Sequence, residues 1–378
     1  MRDVRMTVAA RSDVGRARTN NEDAFTVADL ASGAQIDVGT DAAAVDLGDK
    51  GALLALSDGM GGHQAGEVAS ALVLESLRSA MQEPGADGTL EQKIERAVLR
   101  AHADVARTAQ AENKRGMGAT LTAVFVDGTD AYVAEVGDSR AYLLRRGRLR
   151  QITRDQSLVQ LLVDGGLLSP EDAKLSPQKS VILQAMGLAD NVRVAIGRLH
   201  LRREDTLLIC SDGVSNPISD EELRDVLSAD APAGACARLI DLANERGGDD
   251  NLTAIVARFD GEGLAPATPA ESVTSTFQVI QDYVEDPSGS ASEPPSLAAD
   301  SIAPPPLAPE PAPAPAPESV TTAEQAETSA AAPTSPAPQA PAPAPVRASG
   351  ATNIVIGIAI FVALLLGGAY WLMRMSGR

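Results

Sequence analysis

The sequence predicts an α+β protein in which antiparallel sheet is covered by helices. Three observations lead there. β-rich runs are joined by tight turns, as where residues 120–126 and 131–137 flank Asp127-Gly128-Thr129-Asp130. Apolar residues recur at helical spacing elsewhere, at Val68, Leu72, Leu77 and Met81 and again at Ile94, Val98, Ala101 and Val105. The two kinds of segment are not interleaved as βαβ units, which argues against a parallel sheet.

In chain order, strands are expected at residues 24–28 and 52–57, joined by an Ala-, Asp- and Gly-rich loop over 31–50 as a first hairpin. The two helices follow, then the 120–137 hairpin. Alternation continues through residues 141–144, with Arg145-Arg146-Gly147-Arg148 as the next turn and a strand at 149–152. Between 154 and 187 the pattern breaks into short helical pieces. Ser157 to Val163 is closed by Gly165-Gly166, and Ser169-Pro170-Glu171-Asp172 is a helix start with Pro at its first position. Inserted between strands, this region reads as a surface flap. Strands at 206–211 and 252–259 and a helix over 233–245 complete the folded part, and no internal repeat is present.

Length alone would allow two domains in 378 residues, but composition is uneven. Residues 1–260 read as one globular domain. Residues 261–350 hold 19 of the 24 prolines, and this Pro/Ala-rich acidic stretch lacks the apolar content to offset its ordering entropy. Residues 261–352 are therefore assigned to a disordered linker. Eleven acidic residues against the single Arg347 give it about half of the chain's net charge of −19, and self-repulsion extends it. With no basic patch to neutralise phosphates, nucleic acid is not expected as a partner.

Residues 353–373 read as a transmembrane helix, followed by a short tail over 374–378. Ile354 to Met373 is an uncharged run of 20 residues, which at about 1.5 Å per residue matches a bilayer's hydrocarbon core. Tyr370 and Trp371 fall where an interfacial aromatic belt belongs. No signal peptide is evident in the first 16 residues, so the expected arrangement is a tail anchor in the cell membrane, single-pass, with a cytoplasmic catalytic domain. Arg374 and Arg378 beyond the span, against Arg347 before it, argue weakly the other way. Cys210 and Cys236 fit a reducing compartment and lack metal-ligand spacing.

The chemistry is carried by four aspartates at the tips of strand-like segments: Asp58 in Leu-Ser-Asp-Gly-Met-Gly-Gly, Asp138 in Val-Gly-Asp-Ser-Arg, Asp212 in Cys-Ser-Asp-Gly, and Asp250 in Gly-Gly-Asp-Asp-Asn. A carboxylate at the end of an apolar strand is held rigidly, and four of them make an all-oxygen site for hard divalent cations. Taken singly, an Asp-Gly pair is a turn more often than a ligand, and Arg18 alone is a surface arginine. The order of the motifs changes that weighting. Arg18-Thr19-Asn20-Asn21-Glu22-Asp23, Ser57 to His63, Gly116-Met117-Gly118-Ala119-Thr120, Gly137 to Arg140, Ser211-Asp212-Gly213 and Asp250-Asn251-Leu252-Thr253 together resemble the metal-dependent, type 2C Ser/Thr protein phosphatases in their bacterial form. The similarity covers about residues 5–259.

That resemblance implies a β-sandwich of two antiparallel sheets flanked by α-helices, with two or three Mn²⁺ or Mg²⁺ ions per chain. It implies hydrolysis of phosphoserine and phosphothreonine by water held between two cations, in-line and without a phosphoenzyme. By resemblance Asp58 bridges the two ions, the Gly59 carbonyl binds one, and Asp212 and Asp250 bind the other. Glu22 and Asp23 hold or orient coordinated waters, Asp138 with Asp212 matches a third site, and Arg18 contacts the substrate phosphate through its planar fork. Ser57, Ser139 and Ser211 need not be nucleophiles. Met60 stands where animal members carry His, so the resemblance names no proton donor for the leaving group, and His63 is not assigned that role; His102 and His200 have no motif context. The implied partners are phosphorylated proteins, including Ser/Thr kinases, and the membrane through the C-terminal helix. A silent phosphoprotein-binding scaffold is the rival of a different class, and it would be expected to lack a metal ligand, whereas none is missing. A phosphatase dedicated to one regulatory switch is a second alternative that flap and linker leave open.

Overall fold

The computed structural model describes residues 3–39, 41–48, 50–61, 64–83, 88–114, 116–188 and 190–282. Every described residue lies within one compact unit, Met1–Pro295. In chain order the elements are β1 (Arg5–Asp13), β2 (Asp23–Asp29), β3 (Ala43–Asp46), β4 (Ala52–Met60), α1 (Gln64–Met81), α2 (Leu90–Ala111), β5 (Gly118–Ala119), β6 (Leu121–Asp127), β7 (Asp130–Val136), β8 (Arg140–Arg145) and β9 (Arg148–Gln151). Then come α3 (Leu158–Asp164), α4 (Pro170–Leu175), β10 (Ala195–His200), β11 (Thr206–Cys210), α5 (Asp212–Ser215), α6 (Asp220–Ala229), α7 (Pro232–Glu245), β12 (Leu252–Asp260) and β13 (Phe277–Gln281).

Two antiparallel sheets stack face to face. One has the strand order β3-β1-β12-β11-β8-β9 and the other β13-β10-β7-β6-β4-β2, with β5 paired to the end of β4. Alternation builds the sandwich: Leu54 and Leu56 of β4 and Val124 and Val126 of β6 meet Met6, Val8, Ile209 and Ile255 between the sheets. Leu53, Ala55, Ala123 and Phe125 point the other way, into a second core under α1 and α2. A third core lies where Leu223, Leu227, Leu239 and Ile240 of α6 and α7 cover Leu208, Ala254 and Val256. The α2 helix buries Ile94, Val98, Ala101 and Val105, the residues whose spacing predicted it, and starts at a Thr89–Gln92 capping box. Ser169 caps α4 ahead of Pro170, again as read from the sequence.

Several segments differ from the sequence reading. The 31–50 stretch is not only a hairpin loop: β3 within it crosses over to pair with β1 in the opposite sheet. The linker does not begin at residue 261. Leu264, Val273 and Thr276 are buried, and β13 adds an edge strand beside β10, with Phe277 opposite Leu199 and Gln281 opposite Ile196. Phe277 packs where Gly197 has no side chain; a Cβ there would stand 2.4 Å from the phenylalanine ring. The buried Arg145–Asp205 ion pair is completed by this strap, because the Arg145 Nη1 donates to the Thr276 hydroxyl at 2.6 Å. Arg202 likewise pairs with Glu271 at 2.5 Å. The rest of the expected linker and the expected transmembrane helix at 353–373 lie outside the described residues. Among the described residues, no helix is long and apolar enough to cross a membrane.

Candidate active site

The site forms where both sheets end together. Asp23 opens β2 and Asp58 lies near the end of β4, and the two are directly paired across the strands. Residues directly opposite on paired strands project to the same face, so their carboxyls share one space. Asp138 sits in the turn where the chain passes from β7 to β8, that is, from one sheet to the other. Asp212 begins α5 immediately after β11, and Asp250 precedes β12, whose Ala254 pairs with Cys210 at the end of β11.

Electrostatics confirms that these tips converge. Burial raises the Asp58 carboxyl well above the usual carboxylate range, and the Asp23, Asp212, Asp138 and Asp250 charges add to it. Asp138 is pushed up to about 8 by burial, with Asp212 and Asp155 adding, and Asp23 to about 7, with Asp212 and Asp250 adding. Asp212 rises for the same leading reason, with Asp250 next. Arg140 lowers Asp138 and Asp212 without offsetting burial, and such an excess of like charges in one desolvated space is the signature of a cation-binding site.

Backbone and hydroxyl contacts fix the cluster. The Asp58 N–H donates to the Thr120 hydroxyl at 2.9 Å, and the Thr120 N–H donates back to the Asp58 carbonyl at 2.8 Å. The Gly59 N–H donates to the Glu22 carbonyl at 3.1 Å, locking the Glu22–Asp23 turn onto β4. No other residue fits at 59, since a Cβ would lie 2.1 Å from the Gly66 carbonyl of α1. Ser211 donates its hydroxyl to Asp23 Oδ2 at 2.8 Å, while Asp23 Oδ1 is buried and lacks a hydrogen-bond partner. Asn216 holds Asp212 Oδ2 at 3.0 Å from one turn along the chain. Arg18 reaches the cluster from the β1–β2 loop and donates Nη2 to Asp250 Oδ2 at 2.8 Å.

All eight residues singled out in the sequence, Arg18, Glu22, Asp23, Asp58, Gly59, Asp138, Asp212 and Asp250, thus lie at this one end of the sandwich. Some of the machinery was missed. Asn251 is nearly buried, accepts the Glu22 N–H at 2.8 Å, and donates to the Val14 and Asn20 carbonyls, tying the Arg18 loop to β12. Its signal was in the chain, as the polar residue that follows Asp250. Ser57, Ser139 and Ser211 have buried hydroxyls in hydrogen bonds to the Thr120 carbonyl, the Thr120 hydroxyl and Asp23. They are struts. His63 lies outside the described residues.

The donors fit hard divalent cations, being oxygens throughout, with one orphaned oxygen on Asp23. Among the described residues no three acidic, His or Cys side chains stand close enough to enclose an ion alone.

A profile of the family described as protein phosphatase 2C matches residues 34–256. A serine/threonine protein phosphatase of Mycobacterium tuberculosis, PstP, is 42% identical over 251 residues; the match takes in 66% of this chain and 44% of the relative, so the chain spans under half of that relative's length. A serine/threonine phosphatase of Listeria monocytogenes is 34% identical over 255 residues, covering 66% of this chain and 94% of the relative. Among solved structures, the PstP catalytic domain in complex with two manganese ions is similar at 39% identity and a TM-score of 0.56, covering 68% of this chain and 99% of the other. A Staphylococcus aureus serine/threonine phosphatase, Stp1, is similar at 31% identity and a TM-score of 0.57, covering 67% and 95%.

Proposed function

The chain belongs to the protein phosphatase 2C family, and from that premise we propose that it hydrolyses phosphoserine and phosphothreonine in proteins with the help of Mn²⁺ or Mg²⁺. The observation that carries the reading is the convergence of Asp23, Asp58, Asp138 and Asp212 in one desolvated space, where acids outnumber the neighbouring arginines Arg18 and Arg140. Asp58 and the Gly59 carbonyl, with Asp212 and Asp250, are assigned as the residues that hold two cations. Asp138 with Asp212 would hold a third, and Glu22 and Asp23 would orient the water around them. Such ions, when bound, polarise the phosphoryl oxygens and lower the pKa of coordinated water.

The protein's own part is binding and orientation. Arg18, already beside the cluster through Asp250, turns its fork to two phosphoryl oxygens of the substrate. Ser211 fixes the Asp23 carboxyl, and the Thr120 pair of hydrogen bonds fixes the backbone that carries Asp58 and Gly59. Ser57, Ser139 and Ser211, engaged in these struts, leave the attack to water.

Residues 353–373 are proposed to anchor this domain to the cell membrane from the cytoplasmic side, so that phosphorylated proteins there, Ser/Thr kinases among them, are its substrates. Support comes from the uncharged run of Ile354 to Met373 and, for the cytoplasmic side, from the free, buried Cys210 and Cys236.

Hydrolysis of a chromogenic phosphomonoester by the full chain tests the activity. Turnover is expected only with added Mn²⁺ or Mg²⁺, and full turnover by a metal-stripped sample in excess chelator overturns the reading. Protease added outside intact cells is expected to spare the domain; its digestion overturns the cytoplasmic placement.

A further inference from the structure

A groove of about 490 Å³ runs from Asp138 and Asp212 out between the flap and the start of α6. One wall is the flap, with Val159 and Val163 of α3 and Ala173 of α4, and the facing wall offers Pro217, behind which Ile218 is buried. Most of its charges are spoken for. Asp155 is held by Arg140 through contacts of 2.9 and 2.7 Å, and Glu222 by Arg246 at 2.8 Å and by Ser219. Asp220 lies in the first turn of α6, where the helix amides favour a negative charge. Asp138 and Asp212 belong to the cation-binding cluster.

Two charges remain. Lys174 at the end of α4 and Lys179 just beyond it both line the groove, and neither makes an ion pair among the described residues. The chain has only five lysines, at 50, 93, 114, 174 and 179, in a sequence with net charge −19. Lys50 and Lys114 are each paired with an acid, Asp29 and Glu112. In so acidic a protein, two unneutralised flexible cations five positions apart on the wall of this groove are available to a ligand's charge.

We infer that the groove seats the polypeptide flanking the phosphorylated residue, and that Lys174 and Lys179 select substrates with a further anionic group in that flank, an acidic side chain or a second phosphate. The inference rests on the phosphatase reading and names a substrate class for it. Apolar contacts from Val159, Val163 and Pro217 hold an extended chain without regard to sequence, and the lysines add preference for charge. Each such exposed contact contributes about 0.2–1 kcal/mol, so two together amount to roughly a twofold to thirtyfold preference that weakens with salt.

Three phosphothreonine peptides compared with the full chain test this: one with alanine flanks, one with glutamate flanks and one with a second phosphothreonine. Both anionic peptides are expected to exceed the neutral one in kcat/KM at low salt, and Lys174→Ala/Lys179→Ala is expected to collapse the ratio towards one. Charge reversal, Lys174→Glu/Lys179→Glu, is expected to favour a peptide with lysine flanks. Preference for only one anionic peptide identifies which source of charge the lysines read. Equal kcat/KM on all three in the unaltered protein, or a preference that survives in the alanine variant, overturns the inference. Absence of Mn²⁺-dependent turnover on every peptide overturns the phosphatase reading itself.

Discussion

Asp23 and Asp58 face each other as a directly paired couple on β2 and β4, two carboxyls on one face of the sheet at its open end. Such a pairing is unfavourable by itself, since like charges opposite one another on adjacent strands destabilise them. On the proposed reading it is kept because a cation would turn the repulsion into a binding site.

Asp58→Asn is expected to separate the two consequences. Activity should fall about 100-fold or more, as when support for a metal is lost. Without metal, the variant should be more stable than the unaltered protein at neutral pH. Asp58 has its folded-state pKa raised, so its favourable contribution is complete below the unfolded value and is lost as pH rises through the folded one. Thermal melts in chelator check this, and a lower Tm for the variant at pH 7 contradicts it.

Arg18→Ala should behave otherwise. Its bond to Asp250 is half-exposed, so stability should change by under about 1 kcal/mol. Loss of a charge-assisted phosphate contact should reduce kcat/KM by roughly 1.5–3 kcal/mol, with Mn²⁺ dependence unaltered. Steady-state kinetics over a Mn²⁺ titration measures both, and equal kcat/KM returns Arg18 to the surface.

Much of this was legible in the chain, for reasons of locality. The continuous apolar run of β4 ending in Asp58-Gly59, and the Asp127–Asp130 turn between β6 and β7, announce themselves within ten residues. β1 carried a signal that was passed over, the alternation of Val4, Met6, Val8 and Ala10. β10 and β13 are short, and what holds them is distant: β13 is stable because Arg145, 131 residues earlier, and Gly197 provide for Thr276 and Phe277. Proline-rich composition hid that segment. At the site, carboxylates were evident from type and spacing, whereas Asn251 and Thr120 act through backbone groups whose partners only the fold brings near.

Ending the chain at residue 260 instead of 282 should therefore destabilise the domain. Leu264 and Val273 bury apolar surface worth about 1.5–3 kcal/mol each, the half-buried Phe277 adds less, and Arg145 would lose its Thr276 partner in a buried setting. A Tm lower by roughly 5 °C or more is expected, and matching melts for the two lengths would contradict the role given to the strap.

Glu135 should set a pH slope of its own. It is buried, accepts the Arg154 N–H through Oε2, and has no partner at Oε1; burial raises it well above the usual range, with Asp155 and Asp138 adding. A raised folded-state pKa means stability is lost as pH climbs from the unfolded value through the folded one. Glu135→Gln should thus gain in Tm relative to the unaltered protein between pH 5 and pH 8. A difference that does not vary with pH counts against this.

The direction of β13 governs how the domain can be attached to anything. β1 sets out from Arg5, opposite Asp260, at the end of the sandwich away from the aspartates. β13 runs back along β10 towards the site, and the residue after it, Asp282, meets Arg154, which also holds Asp164 of the flap. The two ends of the described chain therefore emerge at opposite poles. A bead, a fluorophore or a fused protein joined ahead of residue 3 leaves the entrance clear, while the same cargo joined after residue 282 stands beside the door through which substrates pass.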